Sequence, residues 1–253
     1  MEFNLNNEIA KRATKTVYKD NGKTIKLFVE NYSKADILNE ALNQARVEES
    51  TDLYMPKLLA VTKVENRWAL VSEHVEGTTL ETLMEENPEK IDEYLNTFVE
   101  IQLKILGKQV PLLNKIKEKY RRKLNENKDI NDNIKYELLQ RLEGMKDHTK
   151  LCHGDYNPSN VILTENGEYY VIDWAHATQG NASADSAKTF LLFSIQGKTE
   201  IAEKYLNLFA EKTGIPKNLI QRWIPIVAAT QMSKQKPEEQ EFLSKWVDVL
   251  DYE

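Results

Sequence analysis

Two spacing rules divide this chain. Up to about residue 76 the apolar positions alternate with polar ones or gather in short β-branched runs. Beyond it they recur three and four residues apart. Thr14 to Tyr18 and Thr24 to Val29 are rich in β-branched and aromatic residues, and Asp20-Asn21-Gly22 between them is a strong hairpin signal. Lys57 to Thr62 and Trp68 to Val71 predict a second pair of strands, with Glu65-Asn66 in the turn. Between the pairs, Ser33 followed by Asp36 has the spacing of a helix start. Ile37, Leu38, Ala41, Leu42 and Ala45 then form an apolar stripe, with Glu40 on its flank. Gly77 breaks the last strand, and a helix is expected from near Thr79. The pattern therefore predicts an α+β chain with a small β-rich lobe at residues 1–76, containing one main helix, and a larger, mostly helical lobe at residues 77–253.

The helical periodicity covers Ile91 to Leu106, Leu112 to Leu124, Ile130 to Met145, Asp185 to Phe193, Glu200 to Lys212, Pro216 to Ala228 and Glu238 to Leu250. One stretch interrupts it. Leu151-Cys152-His153-Gly154-Asp155-Tyr156-Asn157-Pro158-Ser159-Asn160-Val161-Ile162-Leu163 begins apolar, turns through a tight polar loop and leaves on β-branched residues. Tyr170-Val171-Ile172-Asp173-Trp174 follows, with a second acid. Two other places break their local pattern. Lys26 lies inside a strand, where alternation puts it on one face with Thr24 and Phe28 while Ile25 and Leu27 share the other. It is either a snorkelling edge residue or a placed cation. Lys115 to Lys123 is a basic run that reads as a solvated helix face.

Composition narrows the class. With 253 residues, 41% hydrophobic and 29% charged, the chain can bury a core and is not disordered. A formal net charge of −6 argues against nonspecific nucleic-acid binding and is compatible with a cationic partner. The single cysteine, Cys152, sits between Leu151 and His153 and reads as a packing residue, which excludes disulfide frameworks and thiolate metal clusters. No stretch reaches the ~20 apolar residues of a membrane span and no signal peptide is visible, so a cytoplasmic location away from membranes is expected.

Two lookalikes can be set aside. Gly22-Lys23-Thr24 and Gly197-Lys198-Thr199 resemble the end of a phosphate-binding P-loop, but Val17 and Leu192 stand where its first glycine should be. No zinc-ligand spacing links His74, His148, His153 and His176. The acids of the central stretch suit a different chemistry. Asp155, Asn160 and Asp173 are hard oxygen donors on a loop and at the end of a short hairpin. One carboxylate can orient an acceptor hydroxyl and take its proton. An amide and a second carboxylate can hold magnesium against nucleotide phosphates.

His153-Gly154-Asp155, Asn160 and Ile172-Asp173-Trp174, at this spacing, resemble the two-part signature of the aminoglycoside phosphotransferase and choline kinase group. The resemblance covers nearly the whole chain and implies a bilobal protein-kinase-like fold. It implies a kinase that moves the γ-phosphate of ATP or GTP, with Mg2+, to a hydroxyl of a small molecule. By this resemblance Asp155 is the catalytic base, and Asn160 and Asp173 are metal ligands. Lys26 is the lysine on the α- and β-phosphates, and Glu40, fourteen residues on, is its ion-pair partner. Glu48 is the alternative partner. Ser72 to Val75 resembles the hinge that meets adenine through the main chain at Ser72 and His74. His153 and Asp185 correspond to supports of the catalytic loop. The turn over the phosphates falls at Asn7 to Ala13 and has no glycine, and Asp173-Trp174-Ala175 replaces the Asp-Phe-Gly of protein kinases. With no Ala-Pro-Glu segment, this counts against a peptide substrate. An amine-bearing acceptor is favoured, an aminoglycoside among them, with Glu238, Glu239, Glu241, Asp248 and Asp251 as candidate contacts. Kinases for choline, ethanolamine or another metabolite, and a nucleotide-binding pseudokinase, are the alternatives.

Overall fold

A computed structural model describes residues 3–247. In chain order it contains β1 (Glu8–Lys11), β2 (Lys15–Asp20), β3 (Lys23–Phe28), α1 (Lys34–Ser50), β4 (Leu58–Val64), β5 (Arg67–Glu73), β6 (Thr78–Thr79) and α2 (Leu80–Glu86). Then come α3 (Ile91–Leu106), α4 (Ile116–Glu126), α5 (Asp132–Gly144), β7 (Lys150–Cys152), β8 (Val161–Leu163), β9 (Tyr169–Val171) and β10 (Thr178–Gly180). The rest is α6 (Ala182–Ile195), α7 (Thr199–Thr213), α8 (Lys217–Gln221), α9 (Ile224–Met232) and α10 (Pro237–Val247). Two compact units result: the chain through Pro88 joined by Pro158–His176, and Glu89–Asn157 joined by the chain from Ala177 onward.

The first unit is built on an antiparallel sheet in the order β1-β2-β3-β5-β4. Its two hairpins turn where the sequence predicts. Asn21 and Gly22 have φ of 46° and 72°, and Glu65 and Asn66 have 49° and 64°, the paired left-handed geometry that matches strand twist. Alternation in β3 sends Ile25 and Leu27 to one face with Val64, Ala69 and Val71, and Phe28 to the other with Ile37, Ala41 and Leu70. Lys26 therefore emerges on the face covered by α1.

That helix corrects one expectation. Ser33 caps it, accepting from the Asp36 N–H at 3.3 Å. The buried face, however, is Ile37, Glu40, Ala41, Asn43, Gln44 and Val47, while Leu38 and Leu42 are exposed. The polar residues go inside because each has a partner there: Asn43 donates to the Ala175 carbonyl at 3.0 Å and Gln44 to the Pro56 carbonyl at 2.8 Å.

A second sheet in this unit, β6-β8-β9, pairs Val161 with Val171. Gly77 leads into it by necessity, since a Cβ there would stand 2.2 Å from the Leu163 carbonyl oxygen.

Among the described residues, the second unit is helical around one short ladder, β7 with β10. Its core is aromatic. Phe98 stacks on Tyr156 with centroids 4.3 Å apart, and Phe193 and Tyr205 meet Phe98 edge-on. The helix expected at Pro216 to Ala228 is two helices, α8 and α9. Pro225 stands in the first turn of α9, where its missing N–H costs nothing.

Candidate active site

In the first unit, three elements deliver charged groups to one place. Lys26, from the middle of β3, donates to Glu40 Oε1 at 3.0 Å and to Asp173 Oδ1 at 3.1 Å. Glu40 reaches it from α1, and Asp173 follows β9. Glu48 instead accepts from the Leu58 N–H at 2.9 Å, so it is not the partner of Lys26. Asp173 has φ of +63°, a left-handed backbone that a non-glycine residue adopts only under constraint. The constraint is visible on either side of it. The Ile172 N–H bonds to the Asn160 carbonyl at 3.0 Å, and the Trp174 indole donates to the Val171 carbonyl at 3.0 Å. Asn160 is thereby held one residue from the Val161–Val171 pair, beside the strand end that carries Asp173. Burial would raise the Asp173 carboxyl, but the ammonium groups of Lys26 and Lys15 outweigh it and hold it well below the usual carboxylate range.

Where the hinge was expected, the His74 N–H donates to the Gly22 carbonyl at 2.9 Å, and its ring Nδ1 lies 2.9 Å from the Thr24 hydroxyl. Ser72 is buried between Thr24 and Leu58 in the sheet. An adenine bonded to the His74 amide would have to take the place of Gly22. The turn between β1 and β2 contains no glycine and is closed by Arg12 N–H to the Lys15 carbonyl at 2.8 Å. An open depression of about 630 Å³ beside His74 is rimmed by Glu73, Glu76, Glu165 and Glu168, and the Lys26 cluster takes no part in it.

In the second unit, the loop after β7 is held from several sides. Asp185, buried in the first turn of α6, accepts the Gly154 N–H at 2.7 Å and the Gln102 amide at 3.2 Å. Burial raises its carboxyl despite those donors. His153 is fully buried, and its Nδ1 accepts the Asp155 N–H at 3.3 Å, which puts the ring proton on Nε2. Tyr156 donates to the Phe98 carbonyl at 2.8 Å, and the Thr189 hydroxyl donates to the Tyr156 carbonyl at 2.9 Å. The loop backbone is thus fixed, while the Asp155 side chain stays 26% exposed.

Comparison with known proteins bears on both units. A model of the phosphotransferase enzyme family matches residues 13–217. The chain belongs to that family. Curated protein sequences give no match. Among solved structures, the aminoglycoside phosphotransferase APH(4)-Ia superposes with a TM-score of 0.69 at 13% identity, over 95% of this chain and 89% of that one. An aminoglycoside-3'-phosphotransferase of type VIII gives 0.65 at 15% identity, over 90% and 93%. The ADP-bound APH(2'')-Ib gives 0.62 at 16% identity, over 98% and 92%. The fold is therefore that of a kinase-like small-molecule phosphotransferase, as the resemblance implied. No described helix is long and apolar enough to cross a membrane.

Two features of this phosphotransferase escaped the sequence reading. Lys15, the first residue of β2, donates to Asp173 Oδ2 at 3.1 Å. Its signal was the hairpin register, which sets Lys15 opposite Phe28, on the face that Lys26 shares. The second is basic. Lys119 and Lys123 of α4, Lys188 of α6 and Lys234 after α9 all act electrostatically on one another or on Asp155. The basic run at 115–123 is thus only partly a solvated face: Lys119 and Lys123 are half-buried while Arg122 is exposed. The acids expected to line the acceptor site are placed otherwise. Glu238 and Glu241 are exposed, and Glu239 is buried between Lys236 and Gln231, at 2.7 and 2.6 Å. Asp248 and Asp251 lie outside the described residues.

Proposed function

We propose that this enzyme transfers the γ-phosphoryl group of ATP or GTP to a hydroxyl of a small molecule. The observation that carries the reading is Lys26 bonded at once to Glu40 and Asp173, a cation fixed at both sides, which supports a role for it on the phosphates of a nucleotide. Residues 1–76 would hold the nucleotide, with the hinge at Ser72 and His74 on the base. Residues 77–253 would supply the catalytic loop and the acceptor site.

The donor set fits a magnesium ion. Asp173 is kept ionised and partly exposed, and Asn160 supplies an amide oxygen donor of the hard type. Among the described residues no cluster of three or more His, Cys, Asp or Glu forms a separate metal site. Magnesium held by Asn160 and Asp173 would supply charge neutralisation on the phosphate oxygens. Lys15 and Lys26 hold Asp173 in place for that task. Asp155 orients the acceptor hydroxyl and takes its proton as the oxygen bonds to the γ-phosphorus. The bond from that phosphorus to the bridging oxygen breaks, and its electron pair leaves on the nucleoside diphosphate. His153 and Asp185 act through the loop backbone, fixing where Asp155 stands.

The ternary complex of a thermostable APH(4)-Ia mutant with ADP and hygromycin B supports an aminoglycoside as one candidate acceptor here. For an amine-bearing acceptor here, the described acids of α10 provide exposed or internally paired groups only. A cytoplasmic setting, with ATP and GTP at hand, suits the reading. Purified enzyme assayed with labelled ATP and GTP against aminoglycosides, amino alcohols, sugars and their phosphates should label one class. Asp155→Asn should then lower kcat about 10³-fold and leave nucleotide affinity within twofold. Transfer that survives this substitution would remove Asp155 from the role of base. Nucleotide binding without any transfer would favour the pseudokinase.

A further inference from the structure

Asp173, the proposed metal ligand, carries two lysines. It accepts from Lys26 at Oδ1 and from Lys15 at Oδ2, both at 3.1 Å. The two cations come from neighbouring strands. In the register of β2 with β3, Lys15 stands opposite Phe28 and Val17 opposite Lys26, so the lysines lie diagonally on one face of the sheet. They are not held alike. Lys26 has a second acid, Glu40, at 3.0 Å. Among the described residues Lys15 has Asp173 alone, from a side chain that is 18% exposed. Its backbone is fixed, because the Lys15 carbonyl accepts the Arg12 N–H at 2.8 Å and closes the turn after β1.

That turn is where the backbone was expected to cover the phosphates, and it has no glycine; the first glycine of the chain is Gly22. Glycine is what lets a backbone come close to a ligand, so here a side chain is better suited to supply the missing donor. Lys11 and Arg12, at the turn itself, are exposed, and Lys15 is the cation that reaches inward. A magnesium ion on the Asp173 carboxylate would repel the ammonium groups already there. Lys26 keeps Glu40 when that happens. Lys15 has no other carboxylate and a flexible four-carbon stem, so it follows whatever negative charge arrives with the metal. Nucleotide phosphates bring that charge.

We propose that Lys15 is a second phosphate-binding lysine. It rests on Asp173 until a metal–nucleotide arrives, then gives up the carboxylate and takes the nucleotide phosphates, in place of the backbone donors that a glycine turn would supply. The inference rests on the phosphotransferase reading above and adds a binding residue to it. The rival role is structural: a clamp between β2 and the end of the β8–β9 hairpin that stays closed throughout. The two roles differ in sign. A resting cation competes with a metal alone and assists a metal–nucleotide. A clamp that never opens acts the same way whether or not phosphates are present.

The test titrates wild-type and Lys15→Met enzyme by calorimetry with adenosine, ADP and ATP in excess magnesium, and with guanosine, GDP and GTP in parallel. The substitution should leave nucleoside affinity within about twofold and weaken the triphosphate about tenfold, with the diphosphate between, the size of one lost hydrogen bond to a charged group. Manganese alone, followed by electron paramagnetic resonance without nucleotide, should bind the variant about threefold more tightly or better, because Asp173 has lost a competing ammonium. Lys15→Gln, which keeps a polar tip at the start of β2, gives the same comparison if the methionine variant does not fold. Loss of folding in both would assign Lys15 to the clamp and overturn the proposal. So would an unchanged triphosphate affinity, an equal loss for nucleoside and triphosphate, or manganese and triphosphate affinities that shift in the same direction. A wild-type enzyme that binds neither Mg·ATP nor Mg·GTP would instead overturn the phosphotransferase reading on which the proposal rests.

Discussion

Lys26 in the first unit and Lys119 in the second are both lysines drawn partly out of water, and they titrate in opposite directions. Burial alone would lower both. At Lys26, Asp173 and Glu40 outweigh burial and carry the ammonium above its ordinary value. At Lys119 the nearest charges are mostly other cations, so burial and repulsion act together. The pairing at Lys26 is complete within the protein: each carboxylate has its cation, and the geometry is fixed before any ligand arrives. Around Asp155 the lysines act strongly on one another, so burial is not outweighed there as it is at Lys26. A lysine with two acids is part of the scaffold of a site.

The most direct way to break this contrast is to remove an acid from the balanced side. Glu40→Ala leaves Lys26, which is 14% exposed, with Asp173 alone. Truncating one partner of a buried ion pair usually costs about 3–5 kcal/mol, and the remaining Asp173 bond puts the expected loss near the lower end, about 3 kcal/mol in a denaturant titration. A loss under about 1 kcal/mol would mean that the pair is looser than its 3.0 Å bond implies.

The crowded side should respond to pH with the opposite sign. Lys119 and Lys123 have folded values of about 7 and 8, below the ordinary lysine value of about 10.4. Between roughly pH 7 and 10 the unfolded chain therefore binds more protons at these positions than the native one, and stability rises with pH across that window. The groups that set the shift are Lys234, Arg122, Asp155 and Glu126, together with the two lysines themselves. The balanced side adds no slope there. The stability from Lys26, raised on folding, is fully present below pH 10.4, and that from Asp173, depressed on folding, is fully present above the ordinary value of about 4. The Tm should climb by about 2–4 °C from pH 7 to 9.5, the equivalent of ~1 kcal/mol for a chain of this size, and Lys119→Met should flatten the climb. A profile that falls over this window would contradict the crowding.

The pairing of Lys26 with Glu40 was legible through the family resemblance and the lysines around Asp155 were not, for a physical reason. Lys26, a lysine inside a strand, and Asn160 and Asp173, on a short loop and a hairpin end, stand out locally, and the resemblance to the family adds Glu40, fourteen residues after Lys26, as its partner. Local rules also fixed both hairpin turns and the Ser33 cap. Lys119, Lys188 and Lys234 lie on α4, α6 and the turn after α9, and each alone is an ordinary polar position on a helix or turn. Only tertiary packing turns them toward one aspartate. The same limit explains Lys15, whose role depends on hairpin register, and the acids of α10, whose charge was visible but whose orientation was not.

Helix α1 gives the smallest and sharpest version of the contrast. Its apolar pattern pointed Leu38 and Leu42 inward, yet they are 44% and 46% exposed, while Glu40, Asn43 and Gln44 are buried. At these polar positions burial follows the partner available, as it does at Lys26, alongside the apolar Ile37, Ala41 and Val47. Leu42→Gln should therefore change stability by no more than about 0.5 kcal/mol, since the position loses little contact and the helix propensity of the two residues is similar. The check is the denaturation midpoint at constant m-value. A loss above ~1 kcal/mol would show that the leucine face is covered in solution. The rule that polar residues turn inward on this helix because they are paired there would then need a second cause.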